Sequence, residues 1–274
     1  MGGKLEGIYI CPTPLGNLED ITIRTLKVLK KVDLIACEDT RVSRKLLNRY
    51  NIKRNLTSYH NFNYKSKIPE FLDMLSTGKT IAIITDAGMP GISDPGYEII
   101  KACIDSKIKV NVLPGPSAFV VALVASGLNT DRFTFIGFLP EKSSQRKKEL
   151  NSIKKYKETL IFYEAPHRIS DTLGDIYEIF GNRKVSICRE LTKLYEEIIR
   201  DDLSHIIQNI DHITIKGEFV IVVEGYEEEI VEVDTKSELM SLISQGYTKK
   251  EAIKMVSEKF NLRKNEVYEI SLEI

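Results

Sequence analysis

The sequence predicts an α/β fold of two α/β domains, the first on a mostly parallel sheet and the second on a mixed sheet, with a small helical tail. Three observations carry this. Through the first half of the chain, short apolar runs alternate with helical patterns, as successive βαβ units require. The second half keeps the strands but has fewer helices between them. From Lys236 onward only helical periodicity remains.

Residues 7–11 read as the first strand. Residues 17–32 read as one helix, with Asn17 as its N-cap, Glu19 and Asp20 in its first turn, and Ile23, Leu26 and Leu29 at helical spacing. Residues 34–37 are a strand and 40–50 a basic helix, and Phe71, Leu72 and Leu75 mark another helix. Residues 80–85 are a strand, and 95–105 a helix headed by Pro95. A strand at 109–113 precedes a helix at 117–126 that is apolar nearly all round and so is expected to be buried.

Beyond it, strands are expected at 132–138, 159–163, 184–189, 195–200 and 218–225, with helices only at 144–156, 167–180 and 203–210. The 184–189 and 195–200 pair leaves room for a hairpin-like link, hence the mixed sheet. The domain boundary falls near 114–117. This divides the chain into residues 1–116, 117–228, and a linker with helical module over 229–274. Residues 227–234 are acidic and read as linker. Two helical stripes flank Gly246, Leu239 with Leu242 and Ile243, then Ala252 with Ile253, Val256 and Phe260. They suit a small helix-turn-helix or a helical appendage.

With 274 residues, 42% hydrophobic and 28% charged, the chain is ordinary for a soluble globular protein. No apolar run is long enough for a membrane span, and Met1 to Glu6 is too short and polar for a signal peptide, so a cytoplasmic protein is expected. Cys11, Cys37, Cys103 and Cys188 form no CxxC pair and read as small buried hydrophobes; no metal site is expected. Lysine plus arginine equals aspartate plus glutamate, 39 each, so a nucleic-acid partner requires a local basic patch.

Familiar nucleotide motifs are absent. Ser76-Thr77-Gly78-Lys79-Thr80 lacks the leading glycine of a phosphate loop and precedes a strand, so Gly78 reads as a turn. There is no GxGxxG, HExxH or GxSxG. Instead, four turn-rich loops follow predicted strands: Pro12-Thr13-Pro14-Leu15-Gly16-Asn17, Glu38-Asp39-Thr40-Arg41, the long Asp86-Ala87-Gly88-Met89-Pro90-Gly91-Ile92-Ser93-Asp94 loop, and Pro114-Gly115-Pro116-Ser117. Open α/β sheets bind ligands at that edge.

These loops, in this order, resemble methyltransferases of the class that includes tetrapyrrole methylases and diphthine synthase. Ser93-Asp94-Pro95-Gly96-Tyr97 and Phe162-Tyr163-Glu164-Ala165-Pro166-His167-Arg168 narrow the resemblance, as do Arg189-Glu190-Leu191-Thr192-Lys193 and Lys216-Gly217-Glu218-Phe219-Val220. With them the chain resembles the ribosomal RNA small subunit 2′-O-ribose methyltransferase I family over roughly residues 7–225. Met89 departs from it, standing where a small or hydroxyl residue is expected.

The resemblance implies S-adenosylmethionine as cofactor, folded between the two domains. Asp86, Ala87, Gly88, Met89 and Ile92 would line its amino-acid and ribose end. Ser117 and Ala118 would meet the carboxylate at a helix N-terminus. Tyr163, Gly217, Glu218 and Phe219 would close the adenine side, and Pro14 and Gly16 would border the methyl group and acceptor. The implied reaction is 2′-O-methylation of a cytidine ribose in the decoding region of 16S ribosomal RNA, at cytidine 1402. The implied partner is small-subunit ribosomal RNA within the assembled small subunit, and the implied assembly is a homodimer.

A ribose hydroxyl attacks well only if its proton is accepted as the bond forms. Candidate bases are Asp39, Glu164, His60, His167, Glu190 and Lys193, and the residues alone do not choose among them. For RNA phosphates the candidates are Arg41, Arg44, Lys45 and Arg49 on one predicted helix, Arg146, Lys147, Lys148, Lys154, Lys155 and Lys157 on another, and Arg168. Tyr59, Phe62 and Tyr64 can stack an extruded base or pack a loop. Two alternatives stay open: a methyltransferase of this fold acting on a tetrapyrrole or protein side chain, which predicts a cleft without basic surroundings, and a non-enzymatic RNA-binding assembly factor, which predicts damaged Asp86 and Ser117 loops.

Overall fold

The computed structural model describes residues 5–228, 234–260 and 262–274. By contacts, residues 1–226 form one compact unit and residues 227–274 a second.

The first sheet is all parallel, in the order β3-β2-β4-β1-β5. Its strands are β1 (Ile8–Ile10), β2 (Leu34–Cys37), β3 (Asn55–Ser58), β4 (Ile81–Ile84) and β5 (Val110–Val112). Side chains of a strand alternate between faces, and here both faces are covered. Ile8, Ile10, Leu34, Ala36, Ile81 and Ile83 point into one core, whereas Tyr9, Cys11, Ile35, Cys37, Ala82 and Ile84 point into the other. Two helices, α1 (Ile23–Leu29) and α2 (Thr40–Arg49), cover the second face with Val28, Leu29 and Leu47. The first face takes Phe71 and Leu75 of α3 (Tyr64–Ser76) and Ile99 and Cys103 of α4 (Gly96–Asp105). That is why β1, β2 and β4 read as unbroken apolar runs. All four cysteines are buried and free.

Two readings of this half need correction. The helix expected over 17–32 is broken. Asn17 caps only a 3-10 turn, Leu18–Asp20, accepting from the Glu19 N–H at 3.1 Å. The chain then extends, and Thr22 caps α1 by accepting from the Thr25 N–H at 3.1 Å. A threonine between isoleucines favours such a local bond over helix interior. Strand β3 went unpredicted because it lies at the sheet edge and its Asn-Leu-Thr-Ser carries no apolar run.

The second sheet is mixed, in the order β6-β7-β10-β8-β9. It comprises β6 (Phe133–Phe138), β7 (Thr159–Glu164), β8 (Lys184–Arg189), β9 (Glu197–Asp202) and β10 (Phe219–Val223). Only β6 and β7 are parallel; β8 and β9 pair antiparallel, as their short link suggested. Three helices, α6 (Ser143–Ile153), α7 (Ile169–Phe180) and α8 (Leu203–Gln208), bury one face through Leu150, Leu173 and Ile206. The other face takes Ala122 and Leu123 of α5 (Ala118–Ser126). The uniform apolarity of α5 predicted full burial. Instead Val120 is 45% and Val124 73% exposed, because the sheet covers only one side of the helix.

The tail holds three helices where two were expected: α9 (Thr235–Ser244), α10 (Lys249–Phe260) and α11 (Lys264–Leu272). Leu239, Ala252, Val256 and Val267 form its small core. Of the acidic linker expected over 227–234, residues 229–233 lie outside the described residues. No helix among the described residues is long and apolar enough to cross a membrane.

Candidate active site

Parallel strands bring their C-terminal loops to one edge, and here the loops are stitched together. The β1 and β4 loops exchange backbone bonds, Thr13 N–H to Gly88 carbonyl at 3.0 Å and Gly88 N–H to Thr13 carbonyl at 3.1 Å. The Thr13 hydroxyl donates to the Thr85 carbonyl at 3.0 Å. The β2 loop joins through the Asp39 N–H, which donates to Asp86 Oδ1 at 3.2 Å. Asp94 folds the rest of the β4 loop, accepting from the Gly91 and Gly96 N–H groups at 2.8 and 2.7 Å.

Between this edge and the second sheet lies a cavity of about 450 Å³. It brings together Asp86, Ala87, Gly88, Met89, Ile92, Ser117, Ala118, Tyr163, Gly217, Glu218 and Phe219. Pro14 and Gly16 do not line it. They line an adjoining cavity of about 230 Å³, which shares Leu15, Thr85 and Asp86 with the first.

The floor is acidic. Glu38, Asp86 and Asp94 all line the larger cavity, and burial holds each carboxyl above its usual range. Each carboxyl also accepts backbone N–H bonds that pull the other way without overcoming burial. At the head of α5, Ser117 makes no side-chain capping bond, so the helix start keeps donor capacity beside the cavity. The opposite wall is aromatic. Tyr163 packs edge-on against Phe135 and Phe138, at centroid distances of 4.8 and 5.5 Å, and burial raises its hydroxyl pKa.

The family model for Tetrapyrrole (Corrin/Porphyrin) Methylases matches residues 7–207. A protein of Halalkalibacterium halodurans named Ribosomal RNA small subunit methyltransferase I is 47% identical over 96% of this chain and 93% of its own. The chain belongs to the ribosomal RNA small subunit methyltransferase I family, within the tetrapyrrole methylases. Relatives of the same name in Bacillus subtilis and Synechocystis are 46% and 41% identical over 96% and 97% of this chain, and 92% and 98% of their own. Solved structures share the fold. Uroporphyrin-III C-methyltransferase from Thermus thermophilus, complexed with S-adenosylhomocysteine, matches with a TM-score of 0.57 at 14% identity, over 80% of this chain and 97% of that one. The cobalamin biosynthetic enzyme cobalt precorrin-4 methyltransferase matches at 0.59 and 17%, over 79% and 94%.

In this member of the ribosomal RNA small subunit methyltransferase I family, most of the candidate bases are already engaged. Asp39 caps α2, accepting from the Arg41 N–H at 2.7 Å, and grips the Arg41 guanidinium at 2.7 Å. Those bonds hold its carboxyl down at about 2. Glu164 is buried; its carboxylate accepts from the Thr172 hydroxyl at 2.6 Å and the Ala165 N–H at 2.7 Å, and faces Arg168 Nε at 3.2 Å. His167 is exposed and lines neither cavity.

Glu190 and Lys193 form a bridge on the second-sheet side. Lys193 Nζ lies 2.7 Å from Glu190 and 3.2 Å from Glu218. Burial lowers the Lys193 pKa, but the two carboxylates outweigh it and keep the amine a cation. Burial raises that of Glu190, and Lys193 with the Glu218 N–H outweighs it in turn. Gly217 at φ +85° passes so close that an added Cβ would sit 2.4 Å from Glu190 Cδ. Gly16 makes an equally close crossing: its Cβ would meet Lys193 Cγ at 2.0 Å.

The expected RNA contacts divide. Arg41, Arg44, Lys45 and Arg49 are exposed on α2, and Lys148 on α6. Arg146 is not at the surface: it is 3% exposed, paired with Asp175 at 2.6 Å. Lys147 pairs with Glu178 at 2.6 Å. Arg168 turns inward to the Leu139 and Pro140 carbonyls at 2.7 and 3.2 Å. Of the aromatics, Tyr59 is buried, donating to the Pro95 carbonyl at 2.8 Å, and Tyr64 packs on a core, while Phe62 is 97% exposed. Sequence reading passed over Glu38, Ser93, Asp94 and Phe138 as cavity residues. The first three stood in loops already singled out. Nothing in the sequence marked Phe138, which the fold brings from another sheet.

Proposed function

We propose that this protein transfers a methyl group from S-adenosylmethionine to a ribose 2′-hydroxyl in small-subunit ribosomal RNA, at the decoding-region cytidine, with the assembled subunit as substrate. The observation that carries this is the cavity between the sheets, in a chain nearly half identical to proteins named for that RNA.

The residues fit the cofactor. A space of about 450 Å³ lies in the range of roughly 300–1,000 Å³ typical of small-molecule sites. The α5 head suits a carboxylate. The acidic floor suits an ammonium, a sulfonium and ribose hydroxyls. Leu15, Met89, Ile92, Phe138 and Phe219 give apolar cover for a purine.

When bound, S-adenosylmethionine supplies a methyl group already activated for displacement. The chain's share is to align donor and hydroxyl and keep water out. Asp86 lines both cavities, and its raised pKa suits it to receive the hydroxyl proton. The Lys193 ammonium, held between Glu190 and Glu218, adds positive potential at that mouth rather than a base. Exposed arginines on α2 offer a basic surface for phosphates. The apolar side chains left exposed on β5 and α5, Val112, Val120 and Val124, suit a homodimer contact.

The test supplies methyl-labelled S-adenosylmethionine with small subunits lacking the modification, naked small-subunit RNA, or a tetrapyrrole precursor. Label in an alkali-resistant 2′-O-methyl cytidine of the subunit is expected. Label only in the tetrapyrrole, or in none despite cofactor binding, would sink the reading.

A further inference from the structure

The smaller cavity is walled by Pro14, Gly16 and Leu18 from the β1 loop and by Val42, Ser43, Lys45 and Leu46 from α2. Because Leu15, Thr85 and Asp86 line both cavities, a group held here lies next to one held in the larger space. Its surface is mostly apolar, with one anomaly. Ser43 is 2% exposed, and its hydroxyl has no hydrogen-bond partner among the described residues. The Cys37 thiol is near enough for that hydroxyl to temper the upward push of burial on the thiol. A thiol is nonetheless a weak partner. A buried hydroxyl left in this state is uncommon in a native fold and calls for an explanation.

We infer that this cavity is the acceptor subsite, taking the target nucleoside of the RNA, with the Ser43 hydroxyl hydrogen-bonding it and Lys45 meeting an adjoining phosphate. The inference rests on the methyl-transfer reading above and adds where the acceptor sits. Three features select a nucleoside. At about 230 Å³ the space is below the usual range for drug-sized ligands, roughly 300–1,000 Å³, which suits one nucleoside and not a four-ring macrocycle. Pro14, Leu15, Leu18, Val42 and Leu46 offer apolar cover for the faces of a ring. A hydroxyl that can donate or accept suits a polar base or sugar edge, and exposed Lys45 suits a phosphate. Enzymes acting on one nucleotide commonly draw it out of its strand into such a pocket.

Two substitutions test this in the full chain, reading methyl transfer to unmodified small subunits alongside cofactor affinity by calorimetry. Val42 is 41% exposed, so Val42→Trp narrows the cavity from a position where the larger ring can be accommodated without refolding the core. It is expected to cut transfer about 30-fold or more while cofactor affinity stays within about twofold. Ser43→Ala is expected to raise KM for the subunit by about 3–10-fold with kcat nearly kept, the loss of one hydrogen bond. It should leave the unfolding midpoint unchanged or higher, which a merely structural serine would not.

Wild-type transfer by Val42→Trp, or cofactor affinity falling in step with transfer, overturns the subsite. An unchanged KM in Ser43→Ala removes the serine's part in it. Absence of label in any subunit from the wild-type protein instead overturns the methyl-transfer reading itself, and the subsite with it.

Discussion

In the first sheet, Glu38, Asp86 and Asp94 stand in loops at strand ends and line cavities, while in the second Glu164, Arg146 and Arg168 turn into the fold. The contrast is physical. Loops after parallel strands meet at one edge, where no further layer covers them. Beyond β7, the chain turns directly into α7, and the carboxylate at the strand end is enclosed by the helix that follows, through Thr172 and Arg168. The Tyr-Glu-Ala-Pro-His-Arg segment was as conspicuous in sequence as the Asp86 loop. It is mainly a clasp, to which Tyr163 adds one wall of the cavity. A polar cluster at a strand end therefore points to chemistry only where the next element leaves it open.

That contrast breaks most readily at Glu164. Glu164→Ala leaves Arg168 without its counter-charge and two buried donors without an acceptor, so a loss of about 3–5 kcal/mol in urea unfolding is expected. A loss under about 1 kcal/mol with turnover abolished would return Glu164 to the chemistry.

Asp86→Ala is the mirror case. Stability should stay within about 1 kcal/mol. Cofactor affinity by calorimetry should fall about 10–100-fold, the scale of one charge-assisted hydrogen bond. Equal losses at both sites would erase the distinction between clasp and cleft.

A smaller effect is expected at Phe62, whose ring is 97% exposed. The loop that follows β3 carries it at the cleft edge of the sheet, and Phe62→Ala should raise KM for the small subunit about fivefold or more if the ring stacks a base. Unchanged KM would confine RNA contacts to the basic side chains.

The smallest effect concerns Asp39. Its carboxyl is depressed from 3.8 to about 2, so the bond it makes to α2 stabilises the fold fully above the ordinary value and fades as pH falls through about 2. A carboxyl titration by NMR should show that midpoint, and Arg41→Ala should move it back up. A midpoint near the ordinary value in the wild type would mean that the Asp39–Arg41 clasp does not form in solution.

Most of the first sheet was legible because buried parallel strands are uninterrupted apolar runs, as in Ile-Ala-Ile-Ile of β4. The loops of the candidate site were legible for a related reason: proline, glycine and aspartate interrupt those runs directly after each strand. Edge strand β3 was not, since it lacks a buried face to write into the sequence. The break between Asn17 and Thr22 was a contest between two caps that periodicity does not decide. Arg146 and Lys148 show the same gap at shorter range. Two residues apart on one basic helix, one is buried against Asp175 and the other exposed, because only the packing of α6 on α7 says which side faces in.

By itself the sequence determined the alternation of strands and helices, the mixed character of the second sheet and the order of the polar loops, because these depend on neighbours along the chain. Only the tertiary structure decided which charges stay open, that Pro14 and Gly16 line a cavity of their own, and that Ser43 is buried without a partner. Those properties arise where segments distant in sequence meet, and solvent access and hydrogen-bond satisfaction are set by what packs across the gap.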